Sequence, residues 1–292
     1  MFKPSKRVEG AHSAGIWCVG WSGSSNIITG SLEGNVKLWN SELKLTAESQ
    51  TRLMGITSVC SFKDGSKAVA SCQDGSISFM ETEKLSDIAT IQAGVQEAWT
   101  SCLSPTEEVV ASGSHRGQVK IWSATDFREG ATLETNCGFI LNSAFSSDAS
   151  KLATVGIDGV LNIFDVATQS VTHKIDAHSL PTRCVKFMPE GNLILTASDD
   201  RHVSAHDART GTVINSFSHA GMALSVDIAP DQRHFAVGCS NHTVSIWDIG
   251  MQRSLHNFDS QHSESVWGVS FNSSGQRLAS VGDDGLLQLY DC

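Results

Sequence analysis

Seven times along the chain a β-prone run closes on a bulky residue: Trp39, Met80, Trp122, Phe164, His206, Trp247 and Tyr290. The successive gaps are 41, 42, 42, 42, 41 and 43 residues. Six residues before each comes a turn residue, in order Glu33, Asp74, Arg116, Asp158, Asp200, Asn241 and Asp284. The last copy, Ser265 to Cys292, shows the unit most plainly as three short strands: VWGVSF, RLASVG and LLQLYD. Asn272–Gln276 makes one turn and Asp284-Gly285 the other, a hairpin signal because glycine accepts the positive φ required there. Such a sheet is apolar on both faces and cannot be stable alone. Copies of itself must cover it.

Self-similarity at a period of about 40–45 residues with four strands per unit is the pattern of the WD-repeat family. The Trp-Asp pair stands in Trp247-Asp248, with near copies in Phe164-Asp165, His206-Asp207 and Tyr290-Asp291. The chain thus resembles that family through all seven units. The resemblance implies an all-β, seven-bladed β-propeller occupying residues 1–292 as one domain. The last unit stops after its third strand, so residues 1–10, with Phe2–Val8 as the strand itself, are expected to supply the outer strand of blade seven and close the ring. Pro4 suits an edge strand, since proline cannot donate to a ladder. A narrower resemblance lies in GFILNSAFSSDASKLATVGIDGVLNIFDVAT (Gly138–Thr168), AHSAGIWCVGW, EAWTSCLSP and SVGDDGLLQLYDC. These strings are similar to the WD-repeat subunits of Ski complexes, which in animals also occur in the Paf transcription-elongation complex.

Composition narrows the function. No apolar run approaches the ~20 residues of a membrane helix, and no apolar stretch follows the basic residues of MFKPSKRVEGAH as in a signal peptide. A formal charge of −10 argues against nucleic acid as a direct ligand, because phosphate binding needs concentrated Lys and Arg. None of the 8 cysteines forms a C-x-x-C pair, and Cys18, Cys60, Cys102 and Cys184 fall in first strands, which points to reduced thiols in an intracellular protein.

Catalytic motifs are missing: there is no G-x-S-x-G, P-loop, G-x-G-x-x-G or HExxH. His202 and His206 have zinc-helix spacing but lie on an expected strand, where four residues span about 13 Å. Asp199-Asp200 and Asp283-Asp284 read as turn chemistry. The expectation is a protein that is not an enzyme and needs no cofactor or metal. His12, His178, His219 and His262 stand ahead of first strands, where the family uses such a residue to hold the turn Asp and, through a Ser or Thr, the third-strand Trp. With Ser31 and Ser198 taken as that hydroxyl, no unit carries the whole set, so weak networks are expected. Units two to four show ESQTRL, IQAGVQ and ETNCGF there instead.

The first strands carry the candidate site. Counting back four residues from the Phe271 position gives Trp17, Ser58, Trp99, Leu141, Arg183, Leu224 and Trp267. Three of the 7 tryptophans fall at this one position, where the inner strand of a propeller rises to the top face. Exposed Trp with Arg is the material of binding hot spots. The competing reading places Trp267 in the core, on the parity of Val269 and Phe271. Phe139, beside Leu141, adds an apolar group, and Glu97, Asp199, Glu264 and Asp283 are acids at the same rim that would complement a basic group. The expected partner-binding set is therefore Trp17, Glu97, Trp99, Phe139, Leu141, Arg183, Asp199, Leu224, Trp267 and Asp283. The narrower resemblance implies the rest: a monomeric propeller inside a hetero-complex, bound to a TPR-repeat scaffold through a short motif with Gln, Arg and an apolar residue, and through that scaffold to a helicase. It implies a cytoplasmic and nuclear protein. The alternative is a nuclear adaptor or a reader of basic peptides such as histone tails.

Overall fold

A computed structural model of the chain describes residues 2–94 and 98–292. They form seven four-stranded antiparallel sheets arranged as the blades of a propeller. Six blades take four consecutive strands, the first being Ile16–Ser22, Asn26–Ser31, Val36–Trp39 and Leu45–Glu48. The seventh combines Val266–Phe271, Arg277–Gly282 and Leu287–Asp291 with Lys3–Val8 from the other end of the chain. Lys3 lies opposite Asp291, Pro4 opposite Tyr290 and Val8 opposite Leu287, with a register shift between Pro4 and Arg7; as an edge strand it tolerates a proline, which cannot donate to a ladder. The ring is closed as the sequence predicts, and closure leaves only short outer edges unpaired.

Each strand's burial follows from its place in the blade. Second strands such as KAVASC, KLATVG and RLASVG are buried on both faces after their first residue, so they read as continuous runs of small and β-branched residues. Outermost strands such as LTAE are mostly exposed. The core therefore lies between blades. At the seam, Ile16, Ile27 and Trp39 of blade one pack on Ala279, Val281, Leu287 and Leu289 of blade seven. Phe2 joins the cluster holding Phe258, Phe271 and Tyr290, so the closing strand is anchored by apolar burial as well as by its ladder.

The turn between second and third strands explains the Asp-Gly pairs. Gly34, Gly75, Gly117, Gly159 and Gly285 all have positive φ, and Arg201 and His242 adopt the same conformation in blades five and six. At Gly117 a Cβ would fall 1.7 Å from the Cys137 carbonyl oxygen, so no side chain fits.

Candidate protein-docking site

Six of the seven innermost strands begin with the same irregularity. Trp17, Thr57, Leu141, Arg183, Leu224 and Trp267 are each skipped by the pairing with the second strand. A bulge of this kind re-aims one side chain. Alternation from Val269 and Phe271 therefore does not apply to Trp267. In blade two the skipped residue is Thr57 and not Ser58, a correction of one position. Trp99 lies immediately ahead of Thr100–Leu103, its N–H bonded to the Gly113 carbonyl.

These residues ring the mouth of a central cavity of about 500 Å³. Trp17 packs on Trp267 with ring centroids 5.4 Å apart and on Trp99 at 5.9 Å; Trp99 meets Phe139 edge to face at 5.1 Å. All three tryptophans are half-buried. Asp283 accepts hydrogen bonds from both indoles, from Trp17 Nε1 at 3.3 Å and from Trp267 Nε1 at 2.7 Å. Across the mouth, Arg183 forks onto Asp199, Nε to Oδ1 at 3.0 Å and Nη2 to Oδ2 at 2.7 Å. Leu141 is half-buried beside this ring, and Glu264 is exposed.

Burial and partners within the chain qualify three of the expected positions. Leu224 is 5% exposed and lines the cavity. Asp199 and Asp283 are engaged by groups of the same chain, Asp199 by Arg183 and Asp283 by the two indoles. Glu97 lies outside the described residues. What the mouth offers instead is apolar. Exposed Leu53, Ile157, Leu180 and Met222 sit in loops and turns at the same end, because each immediately precedes an innermost strand or follows a second one.

Below the mouth the cavity is lined by Cys18, Cys60, Cys102 and Cys184. Burial pushes the Cys60 thiol up to about 12 and Cys102 to about 11, so they are poor nucleophiles. Lys186 reaches Asp227 at 3.5 Å, and that carboxylate holds its ammonium above the ordinary lysine range although burial pulls the other way. Among the described residues no group of His, Cys, Asp and Glu is arranged to hold a metal ion.

Three of the four histidine networks are complete where weak ones are expected. In blade one, His12 Nδ1 contacts Glu33 at 2.5 Å, His12 Nε2 meets Thr29 Oγ1 at 2.8 Å, and Trp39 Nε1 donates to that hydroxyl at 2.9 Å. Blade five runs Asp200–His178–Thr196–His206 at 2.9, 2.8 and 3.0 Å. Blade seven runs Asp284–His262–Ser280–Tyr290 at 3.0, 2.7 and 3.1 Å. The hydroxyl is Thr29 or Thr196, not Ser31 or Ser198; Ser198 instead bonds the Leu180 and Pro181 carbonyls. The sequence does carry the signal, since each hydroxyl stands ten residues before the third-strand ring, as Ser112 does before Trp122. Burial raises Glu33, but the Ser13 hydroxyl and N–H together with His12 outweigh it and hold the carboxyl down to about 2. Blade two puts Arg52 in the histidine's place, bonded to Ser78 and Asp87 at 2.8 and 2.9 Å. In blade six, Val237 stands in the hydroxyl's position and the His219 Nε2 has no partner.

Seven four-stranded blades joined by a strand from the N-terminus, with a loop-bearing face around a central cavity, define a β-propeller interaction scaffold. The chain belongs to the WD-repeat family: the model described as "WD domain, G-beta repeat" matches residues 3–40, 89–123, 169–207, 211–248 and 252–291. The unmatched stretches hold most of blades two and four, which carry Met80 and Phe164 in place of Trp and no histidine at the start. Over 292 residues the chain is 34% identical to WD repeat-containing protein SL1-17 of Schistosoma mansoni, covering 97% of this chain and 96% of that protein. It is 31% identical to WD repeat-containing protein VIP3 of Arabidopsis thaliana, over 63% of this chain and 64% of that one. Identity to the meiotic recombination protein rec14 of Schizosaccharomyces pombe is 26%, over 70% and 69%.

Proposed function

We propose that this propeller is the WD-repeat subunit of a Ski-type complex, holding a segment of the TPR-repeat scaffold on its top face and through it a helicase that feeds mRNA to the exosome for 3′-to-5′ decay. It works in the cytoplasm, and in the nucleus where it also serves the Paf complex. WD-repeat propellers are generally non-catalytic scaffolds, and this chain's chemistry suits docking: small turn acids, buried thiols and structural imidazoles. The observation that carries the reading is the Trp267–Trp17–Trp99–Phe139 chain of rings at the cavity mouth, half-buried and flanked by exposed aliphatic side chains. Large rigid rings in a partly dried setting are what a partner segment buries with most gain.

The second reading, a reader of basic tails, needs aromatic faces standing apart around a cation with open carboxylates nearby. Rings 5.4 and 5.9 Å apart are already in contact with one another and leave no gap for an ammonium between them. The test is binding of the purified TPR-repeat scaffold subunit of a Ski complex to the wild-type propeller and to Trp17→Ala. Binding by the wild type that the variant loses, with an unchanged melting curve, is expected. No binding by the folded wild type removes the assignment.

A further inference from the structure

Asp283 sits in the turn between the second and third strands of the last blade, yet two blades share its carboxylate. Oδ2 takes the N–H of Trp267, which belongs to its own blade, at 2.7 Å; Oδ1 takes that of Trp17, from blade one, at 3.3 Å. The bond pair therefore crosses the seam that Lys3–Val8 closes. Gly15 backs the carboxylate so closely that a Cβ there would lie 2.7 Å from Oδ1. A side chain there would push the carboxylate away from Trp17. The two rings it holds are 5.4 Å apart and tilted 37° to each other.

We propose that Asp283 is a positioning residue that locks Trp17 and Trp267 into one docking platform across the ring seam. It acts on the partner through the two indoles and does not pair with a partner's cation. This rests on the docking reading above. Half-exposed indoles have several rotamers open to them, and one carboxylate accepting from both selects a single arrangement before the partner arrives. The platform exists only while blades one and seven are joined. Because the platform presents ring faces and each carboxylate oxygen already holds an indole N–H, the partner's anchor is an apolar or planar group held by burial, so affinity changes little with salt.

The test uses the full chain with four substitutions: Asp283→Asn, Asp283→Ala, Trp17→Phe and Trp267→Phe. The first measurement needs no partner. Two indoles in contact give an exciton couplet in circular dichroism, and Asp283→Ala should weaken it as much as Trp267→Phe does, with the melting temperature near wild type; Trp17→Phe, which also removes the Trp17–Trp99 pair, sets the larger limit. Asp283→Asn keeps a carbonyl oxygen for the shorter bond to Trp267 and should retain most of the couplet. The second measurement is affinity for the purified TPR-repeat scaffold subunit at low and high salt. Asp283→Ala should weaken it about tenfold and Asp283→Asn within roughly threefold, nearly independent of salt. An intact couplet in folded Asp283→Ala overturns the proposal. So does an Asn variant as harmful as Ala with binding that collapses on adding salt, which is the behaviour of a direct ion pair. A weakened couplet with partner binding unchanged in all four variants upholds the positioning of the rings and overturns the docking reading.

Discussion

Trp17 and Trp99 touch, ring centroids 5.9 Å apart, although they start the first and third blades and a whole blade lies between them in the chain. Blade two contributes only Thr57 at the equivalent bulge, a side chain too short to part the rings.

Removing Trp99 separates binding from folding. It is half-buried and leans on Trp17 and Phe139 at the cavity mouth. Trp99→Ala should therefore cost less than the ~3–5 kcal/mol of removing a fully buried aromatic. Partner affinity should fall about thirtyfold, the ~2 kcal/mol scale of a hot-spot residue. Melting curves and titrations on one preparation decide it, and a collapsed melt would place the ring in the core.

Deleting residues 2–8 should open the ring. The strand Lys3–Val8 is mainly exposed, but it covers the edge of Leu287–Asp291, and Phe2 packs on the blade six–seven cluster. The truncated chain should melt lower and aggregate on heating, because the edge of Leu287–Asp291 loses its cover. Light scattering during a thermal ramp reports this; an unchanged profile removes closure as a source of stability.

Two threonines at equivalent places should behave in opposite ways. Thr196 bridges His178 and His206 at 2.8 and 3.0 Å, so Thr196→Val strands two buried imidazole nitrogens. The expected loss is ~1–3 kcal/mol. The Thr154 hydroxyl of blade four is buried and has no partner, so Thr154→Val should be neutral or stabilising. Chemical denaturation of the two variants compares them directly, and equal losses would sink the network account.

Acid should weaken the fold through buried imidazoles. Burial, helped by the nearby His178, pulls His206 down to about 4, and burial with His202 brings His219 to about 4. Between the ordinary histidine value of 6.5 and about 4, the unfolded chain binds protons that the folded one refuses. Stability is then fully present above pH 6.5 and is lost as pH falls toward 4. His206→Phe, which borrows the residue of blade four, should flatten part of that decline. A variant whose melting temperature falls as steeply as wild type over this range would rule His206 out.

The thiols give a test of burial. All eight cysteines are free, and burial pushes Cys60 and Cys102 to about 12 and 11. Alkylation without reductant should modify eight thiols in denatured protein and leave the channel thiols slow to react in the native one. Fewer than eight in the denatured protein would reveal a disulfide.

The repeat, the strand order and the closing role of Phe2–Val8 were legible because each depends on local spacing. A turn residue six positions before a third-strand ring sets a hairpin, and an unfinished last unit needs one more strand. Trp17, Trp99 and Trp267 could be picked out by position for the same reason. Their company could not. Whether Trp17 and Trp267 stood in the core or at the mouth depended on a bulge that parity does not reveal, and Thr57 was missed by one residue for that cause.

The sequence by itself determined seven blades and their order, since a period near 42 residues and the alternation within each unit are written in neighbouring residues. Only the tertiary structure decided which groups satisfy one another across the ring. Asp283 meets Trp17 from 266 positions away, Arg183 claims Asp199, and Thr29 rather than Ser31 completes the first network. Those pairings arise because closing the ring brings the two ends of the chain together and turns rim carboxylates inward onto donors. Charge and spacing along a chain cannot show which acids will still face solvent once that has happened.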